Sequence, residues 1–220
     1  MFEKSSVLAF FPTFVWVYDL KPEDAEPLSA AIAEKIEMAL PPAKQLSEAH
    51  SLQSGTHLHE LPEFQPLIDR VHVAAQQILK FLEHKPAPLK ITGCWANVSG
   101  PAAHHKEHAH PNNLLSGVYY VKAPQGGDSI NFHDPRAQAH VIAPHVTAIS
   151  TKHASTVIVE VKPGRLVIFP AWLRHSVDPN LSQELRMSIS FNLMFDHFAD
   201  DQSRPRFKGE FLVKNKPGSV

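Results

Sequence analysis

The sequence predicts a mainly β fold with flanking α-helices, and two successive patterns along the chain support this prediction. Up to about residue 88, apolar residues recur at helical spacing. From Lys90 onward, short β-rich runs alternate with Pro, Gly and Asn, which is typical of a sandwich or a barrel. The 220 residues, 43% of them hydrophobic, are enough for one sizeable core. We therefore expect a single domain over 1–220, with an N-terminal strand and helical layer over about 1–88, a β core over about 89–198 and a tail over 199–220.

Two amphipathic helices are predicted in the N-terminal layer. The first lies between Pro27 and Leu40, with Pro27 in its first turn and Pro41-Pro42 as its end. Its apolar residues recur every four positions, at Leu28, Ile32, Ile36 and Leu40. The second helix runs from about Pro62 to His84, carries one apolar stripe and stops before Pro86.

Six strands are predicted in the β core. They are Ile91–Val98, Leu115–Val121, Ser129–His133, Val157–Val161, Leu166–Phe169 and Leu185–Phe195. In the last of these, polar residues at positions 186, 188, 190 and 192 alternate with apolar residues at 187, 189, 191 and 193. Because successive side chains of a strand point to opposite faces, one face packs the core and the other lines a polar space.

Composition excludes several classes of protein. The formal net charge is −1, and neither a basic-aromatic stripe nor a Gly-rich phosphate loop is present, so nucleic acid and nucleotide cofactors are not expected. No apolar run approaches the roughly 20 residues of a spanning helix, so no membrane partner is expected either. The single cysteine, Cys94, has no partner for an internal disulfide, which predicts a cytoplasmic protein. The oligomeric state cannot be predicted from the sequence.

The 15 histidines raise the question of a metal site. His108 and His110 lie two residues apart, so on an extended chain their side chains point to the same side. With His175 as a third ligand from a distant strand, they would form a facial set that leaves about three positions of an octahedral ion open. Imidazole ligands suit several metals, and an H-x-H pair by itself is equally compatible with surface histidines at a strand end.

Arg186 provides the context for that metal site. It lies on the polar face of the last long strand, where a buried guanidinium is costly unless it meets an anion. A dicarboxylate would satisfy it, with further hydrogen bonds from Ser188 on the same face and from Tyr119 or Tyr120. Asn97 on an earlier strand is a further candidate contact to such a ligand, and the alternative is that it caps a β ladder. The alternative for Arg186 is an exposed arginine on an edge strand.

Several stretches of the chain resemble the 2-oxoglutarate- and Fe(II)-dependent oxygenase superfamily, and more narrowly a bacterial and phage group of oxygenases distantly related to prolyl 4-hydroxylases. The stretches are His108–His110, Ser116–Val121, Gly126–Arg136, Val161–Asn180 and Arg186–Asn192. The opening Phe10-Phe-Pro-Thr also resembles that group, so the similarity extends over nearly the whole chain. The resemblance implies a double-stranded β-helix (jelly-roll) core, Fe(II) as cofactor, 2-oxoglutarate as cosubstrate bound to iron and to an arginine, and oxidation of a substrate C–H with release of succinate.

The sequence departs from the superfamily pattern at one position. Most members have His-x-Asp or His-x-Glu, whereas here His110 stands in place of the carboxylate. His105-Lys-Glu107 is itself a His-x-Glu, so Glu107 is an alternative ligand. We favour His108 and His110 because they lie immediately before Pro111, where the narrower group has its H-x-H.

Residues for the substrate are less well defined. Asp134 and Arg136 follow a strand that should end near the site, and Trp172 lies close to the distal histidine in sequence. An Asp-Pro turn with a solvated arginine explains the first two equally well. The long segment 134–155 is a candidate lid. A small-molecule or peptide substrate is expected, and the alternatives to an oxygenase are a cupin-type metal enzyme that does not use 2-oxoglutarate and a non-catalytic metal-binding module.

Overall fold

Two antiparallel β-sheets and three helices make up the part of the chain that the computed structural model describes, residues 2–39 and 49–201. The helices are α1 (Pro22–Ala39), α2 (Gln65–Phe81) and α3 (Asp196–Asp201). The strands are β1 (Trp16–Asp19), β2 (Ser51–Gln53), β3 (Leu89–Ser99), β4 (His105–His108), β5 (Leu115–Lys122), β6 (Ser129–His133), β7 (Thr156–Glu160), β8 (Arg165–Pro170), β9 (His175–Val177) and β10 (Arg186–Phe195). Short 3₁₀ turns lie at Leu58–Glu60, Pro62–Phe64 and Ala137–His140.

The sheets form a sandwich. The larger sheet has the strand order β1-β8-β5-β10-β3-β2, and the smaller has β4-β9-β6-β7. Apolar side chains of both sheets pack together between them, including Val118 and Phe169 from the larger sheet and Ile130 and Phe132 from the smaller. The prediction of a mainly β, jelly-roll fold with flanking helices is confirmed.

Helices α1 and α2 cover the outer face of the larger sheet. Ile32 and Ile36 of α1 and Val71 and Ile78 of α2 are buried in one cluster with β10 residues such as Ile189. The apolar stripes of the sequence therefore identified the packed faces correctly. No helix in the described ranges has the length and apolar character required to cross a membrane.

The helix boundaries correct the predictions at the N-terminal ends. Helix α1 begins at Pro22, so Pro22 occupies the first position and Pro27 lies inside the helix. Glu23 and Asp24 in the first turn favour this earlier start because acidic side chains stabilise a helix N-terminus. The predicted stop at Pro41-Pro42 lies outside the described residues. Before α2, residues 62–64 form a 3₁₀ turn, and the regular helix covers 65–81.

All six predicted strands of the β core are present, within two residues at each end. Of the four others, β1 lies in the N-terminal layer, where a strand is expected, whereas β2, β4 and β9 have no clear signal in the sequence. Strands β1, β2, β4 and β9 are three or four residues long and exist because a neighbouring strand pairs with them. Two of them, β4 and β9, carry the candidate metal ligands. Of the predicted tail, residues 199–201 end α3 and the rest lies outside the described residues.

Strand β10 lies between β5 and β3, and its alternation decides which side chains face the space between the sheets. Ser188 pairs with Asn97 on β3 and with Tyr120 on β5, so these three side chains share a face. The opposite face of β10 packs against the helices. At Gly117 on β5, the ring of Phe191 approaches so closely that a Cβ would overlap it.

Candidate metal centre and its cavity

A cavity of about 520 Å³ opens between the two sheets. Its wall combines polar residues from β10 with histidines from the smaller sheet, and aromatic residues complete it. The polar residues include Arg186, Ser188 and Ser190 on β10, with Asn97 on β3 and Ser116 on β5, and the aromatic ones include Trp95, Tyr120 and Phe169. The polar face that the alternation of β10 predicts is therefore the face that lines this cavity.

Three imidazoles converge in the cavity. One ligand nitrogen each from His108, His110 and His175 lies within 4.8 Å of the other two, a spacing at which one ion can reach all three. The ring centroids of His108 and His175 are 4.3 Å apart, and those of His110 lie 5.0 and 5.2 Å from the other two rings. Within the part of the chain that the structure describes, no other group of three or more potential metal ligands meets that spacing.

Strand pairing brings these histidines together. His108 on β4 lies directly opposite His175 on β9, which fixes the two side chains as cross-strand neighbours. His110 follows β4, and its backbone N–H donates to the carbonyl of Ala171, 2.9 Å away, in the turn before His175. The proximity of His108 and His110 follows from their spacing, while the meeting with His175 requires the pairing of β4 with β9.

Hydrogen bonds orient two of the rings. The Nδ1 atoms of His108 and His175 lie 2.7 Å from the carbonyl oxygen of Lys106 and 3.0 Å from that of Leu173. A carbonyl can only accept, so each Nδ1 carries the proton and each Nε2 keeps its lone pair for an ion. This is the usual way in which a protein fixes the tautomer of a metal-ligating histidine.

Burial keeps His110 and His175 neutral. Burial, and to a smaller extent the neighbouring His108, lower the pKa of His110 to about 4. The pKa of His175 is also lowered to about 4, mainly by burial. Both imidazoles are therefore uncharged at neutral pH, and a neutral imidazole has a free lone pair that binds a cation.

Glu107, the alternative ligand, does not join the histidine cluster. The Glu107 carboxylate accepts a hydrogen bond from Arg174 and lies 4.0 Å from Nδ1 of His133. The Arg174 guanidinium holds the pKa of Glu107 below its usual value. Glu107 borders the cavity, but its carboxylate is not part of the cluster around His108. His105 is also in the cavity wall, where burial lowers its pKa to about 4.

Arg186 is the unexplained charge in the cavity wall. The residue is 6% exposed, and its Nε has no hydrogen-bond partner within the described residues. Its guanidinium lies over the ring of Tyr120, with Cζ 5.4 Å from the centroid, and it forms no ion pair with any acid in those ranges. The alternative of an exposed arginine on an edge strand is excluded, since β10 is central in its sheet. A buried cation without an acidic partner favours binding of an anion, because the anion would compensate its charge.

Tyr120, rather than Tyr119, faces the cavity. Tyr119 points to the helical side, where its hydroxyl lies 2.8 Å from Oγ of Ser29 on α1, so its predicted role as a contact in the cavity is wrong. The Tyr120 hydroxyl is fully buried without a hydrogen-bond partner in the described structure, and burial raises its pKa. Adjacent residues of β5 point to opposite faces, so only the strand register could choose between the two tyrosines.

Two further predicted cavity residues, Asn97 and Ser188, lie in the wall. The Asn97 side-chain amide donates to Oγ of Ser190, 3.0 Å away. Ser188 is 6% exposed and lines the cavity beside Arg186. Trp95, which the sequence did not single out, also borders the cavity, 6.0 Å from His110 between ring centroids. Its position two residues before Asn97 on the same strand was the available signal.

The predicted substrate residues lie away from the cavity wall. Asp134 and Arg136 form a bidentate ion pair at 2.8 and 3.0 Å on the surface, which supports the turn interpretation. Trp172 is 55% exposed and does not border the cavity. Among the described side chains of the candidate lid, 134–155, none lines the cavity. These residues lie in the loops after β6 and β8, and the sequence alone does not reveal which way a loop side chain points.

The fold and the site together define a jelly-roll protein with a candidate metal centre, in which three histidines and a buried arginine share one cavity. Residues 93–192, which include all four of these side chains, match the family model described as "Putative 2OG-Fe(II) oxygenase". The resemblance to the 2-oxoglutarate- and Fe(II)-dependent oxygenases is thereby confirmed. No curated protein matches the sequence.

Solved structures of such oxygenases have a similar fold. A prolyl-4-hydroxylase of Pseudomonas putida aligns with a TM-score of 0.58 at 15% identity, covering 83% of this chain and 93% of its own. HygX from Streptomyces hygroscopicus, solved with nickel and 2-oxoglutarate, aligns with a TM-score of 0.58 at 12% identity, covering 84% and 83%. The α-ketoglutarate-dependent epimerase SnoN from nogalamycin biosynthesis gives 0.59 at 14% identity, covering 83% and 79%. At these identities the similarity establishes the shared fold.

Proposed function

We propose that the protein is an Fe(II)- and 2-oxoglutarate-dependent dioxygenase that converts 2-oxoglutarate to succinate while hydroxylating or otherwise oxidising a C–H bond of a small-molecule or peptide substrate. The observation that carries the proposal is the presence, in one cavity, of three converging imidazoles and a buried arginine without an acidic partner. The family match supports the same chemistry.

The donor set fits Fe(II). His108, His110 and His175 would hold the ion through one nitrogen each, on one side, and leave about three positions for other ligands. Imidazole also suits Zn(II), Cu(II) and Ni(II), so the choice of iron rests on the family match. When bound together, iron and 2-oxoglutarate supply the oxidising chemistry that activates dioxygen, with loss of carbon dioxide from the keto acid.

Arg186 and Tyr120 fit the far carboxylate of 2-oxoglutarate. Both groups have unsatisfied donors within the described residues, and the guanidinium offers the planar fork that matches a carboxylate. Ser188, on the same face of β10, would add a hydroxyl donor. Asn97 is bonded to Ser190 and would act by holding that serine in the wall. A dianion would offset two of the three positive charges that an Fe(II) ion and Arg186 bring together.

The two alternatives leave Arg186 without a role. A metal-binding module without a cosubstrate needs only the three histidines, and it gives no reason to bury a cation beside them at a cost in stability. A cupin-type enzyme that does not use a keto acid meets the same objection. The lone, buried Cys94 supports the proposal that the protein works in a reducing, cytoplasmic compartment.

Anaerobic titration tests the proposal. Protein loaded with Fe(II) should develop a weak visible charge-transfer band when 2-oxoglutarate is added, and no band when succinate is added instead. The His175→Ala variant is the control, since it removes one ligand nitrogen and should show neither bound iron nor the band. Iron-loaded protein that binds no 2-oxoglutarate would refute the proposal. If the band develops, substrate-stimulated succinate release identifies the substrate that is oxidised.

A further inference from the structure

His105 faces the cavity although three residues separate it from His108. On a regular strand, a spacing of three residues places two side chains on opposite faces. The pairing of β4 with β9 is irregular at this point, because His108 lies opposite His175 and His105 lies opposite Val177. Three steps along β4 therefore correspond to two along β9, which is the geometry of a β-bulge, and a bulge re-aims a side chain. As a result, both His105 and His108 line the cavity.

The imidazole of His105 is half-buried and has no hydrogen-bond partner among the described residues. Burial, and after it the guanidinium of Arg186, lower the pKa of His105 to about 4. Because the effect of a charge fades with distance, the two side chains belong to the same end of the cavity. At neutral pH the ring is uncharged, so it offers one N–H donor and one lone pair.

This end of the cavity lies where the far carboxylate of 2-oxoglutarate would reach. Val177 is two residues beyond His175 on β9, so His105, opposite Val177, lies roughly 6–7 Å further along the sandwich than the metal ligands. A five-carbon diacid spans roughly 5 Å between its end carbons, and its oxygens extend further. With one end of the diacid at the metal, its other end would therefore lie at the level of His105.

Within the described part of the chain, the surroundings of His105 contain hydrogen-bond donors and no free acid. Nε of Arg186 and the hydroxyl of Tyr120 are buried there without hydrogen-bond partners. Glu107 is the one acid of those ranges that borders the cavity, and it is paired with Arg174. A carboxylate has about four lone-pair sites for hydrogen bonds, so it can accept from all three donor side chains at once.

We propose that His105 is a further binding residue for the cosubstrate, with its ring N–H donating to the far carboxylate of 2-oxoglutarate beside Arg186 and Tyr120. The inference rests on the proposed function and adds a residue to its site. It also gives a role to the His-x-Glu stretch 105–107, in which His105 binds the anion and not the metal.

Substitutions of His105 test the proposal, by calorimetric titration of the Zn(II)-loaded protein with 2-oxoglutarate. His105→Leu removes the donor at similar volume and should weaken the Kd roughly 10- to 100-fold, which is the value of a hydrogen bond to a charged group. His105→Asn and His105→Gln each place an amide N–H near one of the two ring nitrogens, so at least one of them should bind 2-oxoglutarate within roughly threefold of the wild type. Zinc content should be the same in every variant.

His145→Leu is the matched control. It removes an exposed histidine of the 134–155 segment, none of whose described side chains lines the cavity, and it should leave the Kd unchanged. An unchanged Kd in His105→Leu would overturn the inference. Loss of zinc from that variant would also overturn it, because His105 would then be a metal ligand. A Kd weakened equally in the Leu, Asn and Gln variants would do the same, because the ring would then act through packing.

Glutarate separates this inference from the proposed function. It keeps both carboxylates and lacks the keto group that a metal would chelate, so the rise in melting temperature that it causes in metal-free protein reports binding at the anion pocket. If the wild type binds glutarate but no 2-oxoglutarate, and His105→Leu abolishes the glutarate effect, the proposed function fails and the role of His105 in binding a diacid is retained. A wild type that binds neither diacid overturns both.

Discussion

Replacing Arg186 by Met should have opposite effects on the stability of the protein and on its affinity for 2-oxoglutarate. The substitution keeps much of the length of the side chain and removes a cation that is 6% exposed and has no acidic partner in the described structure. Without cosubstrate, removal of this uncompensated charge should stabilise the protein by about 1–2 kcal/mol. For a chain of this size, each kcal/mol of added stability raises the melting temperature by about 2–4 °C.

With cosubstrate, the same substitution should be costly. Loss of a buried, charge-assisted contact to a carboxylate is worth about 2–4 kcal/mol, which corresponds to a roughly 30- to 1,000-fold weaker Kd for 2-oxoglutarate. Metal content should be unchanged, since the three histidines do not contact the guanidinium. Calorimetric titration of the metal-loaded, anaerobic protein gives the Kd, and differential scanning calorimetry with and without 2-oxoglutarate gives the two melting temperatures.

Arg136→Met is the matched control for Arg186→Met. It removes an exposed arginine that is paired with Asp134 outside the cavity, and it should leave the Kd for 2-oxoglutarate unchanged. An Arg186→Met protein that is destabilised without cosubstrate and retains wild-type affinity would refute the reasoning, because Arg186 would then be a structural residue with a partner that it needs.

Further predictions concern the metal ligands, the tyrosines, the sheet and pH. His110→Ala should empty the metal site and Glu107→Ala should not, as measured by metal content after dialysis; the reverse would make Glu107 the ligand. Tyr120→Phe should weaken 2-oxoglutarate binding by roughly 1 kcal/mol for one lost hydrogen bond, and Tyr119→Phe should not, by the same calorimetry. Gly117→Ala should destabilise the protein by about 1–3 kcal/mol in urea unfolding, because a Cβ there overlaps a packed ring. Since burial lowers the pKa of His110 to about 4, the unfolded state binds more protons than the folded state between that value and the ordinary pKa of about 6.5. The free energy of unfolding of the metal-free protein should therefore decrease as the pH falls through this range, and His110→Gln should make the decrease smaller.

The helices and strands that could be predicted are those long enough to show a periodic pattern of apolar residues in their own sequence. The stripe on α2 and the alternation on β10 each repeat often enough to be recognised, and both identified the buried face correctly. Strands β4 and β9 are too short for a period to appear, and they form because a neighbouring strand supplies hydrogen-bond partners. The predicted division of the chain into a helical layer, a core and a tail stays a prediction.

In the candidate site, too, some residues could be predicted from the sequence and others only from the tertiary structure. The two-residue spacing was enough to predict that His108 and His110 act as a pair. The alternation along the strand was enough to predict that Arg186 faces the space between the sheets. The choice of Tyr120 over Tyr119 needed the register of β5 against β10, since a shift of one residue exchanges the two faces of a strand. The outward positions of Asp134, Arg136 and Trp172 depend on where loops leave the sandwich.

By itself the sequence determined the fold class, the polar face of β10 and the chemical types available at the site, because these follow from local periodicity and from side-chain chemistry. Only the tertiary structure decided that His175 meets His108, since this contact depends on the pairing of two short strands distant in the chain. It also decided that Arg186 has no acidic partner within the described residues, because burial and the absence of a counter-charge are properties of the surroundings of a residue and not of its own segment.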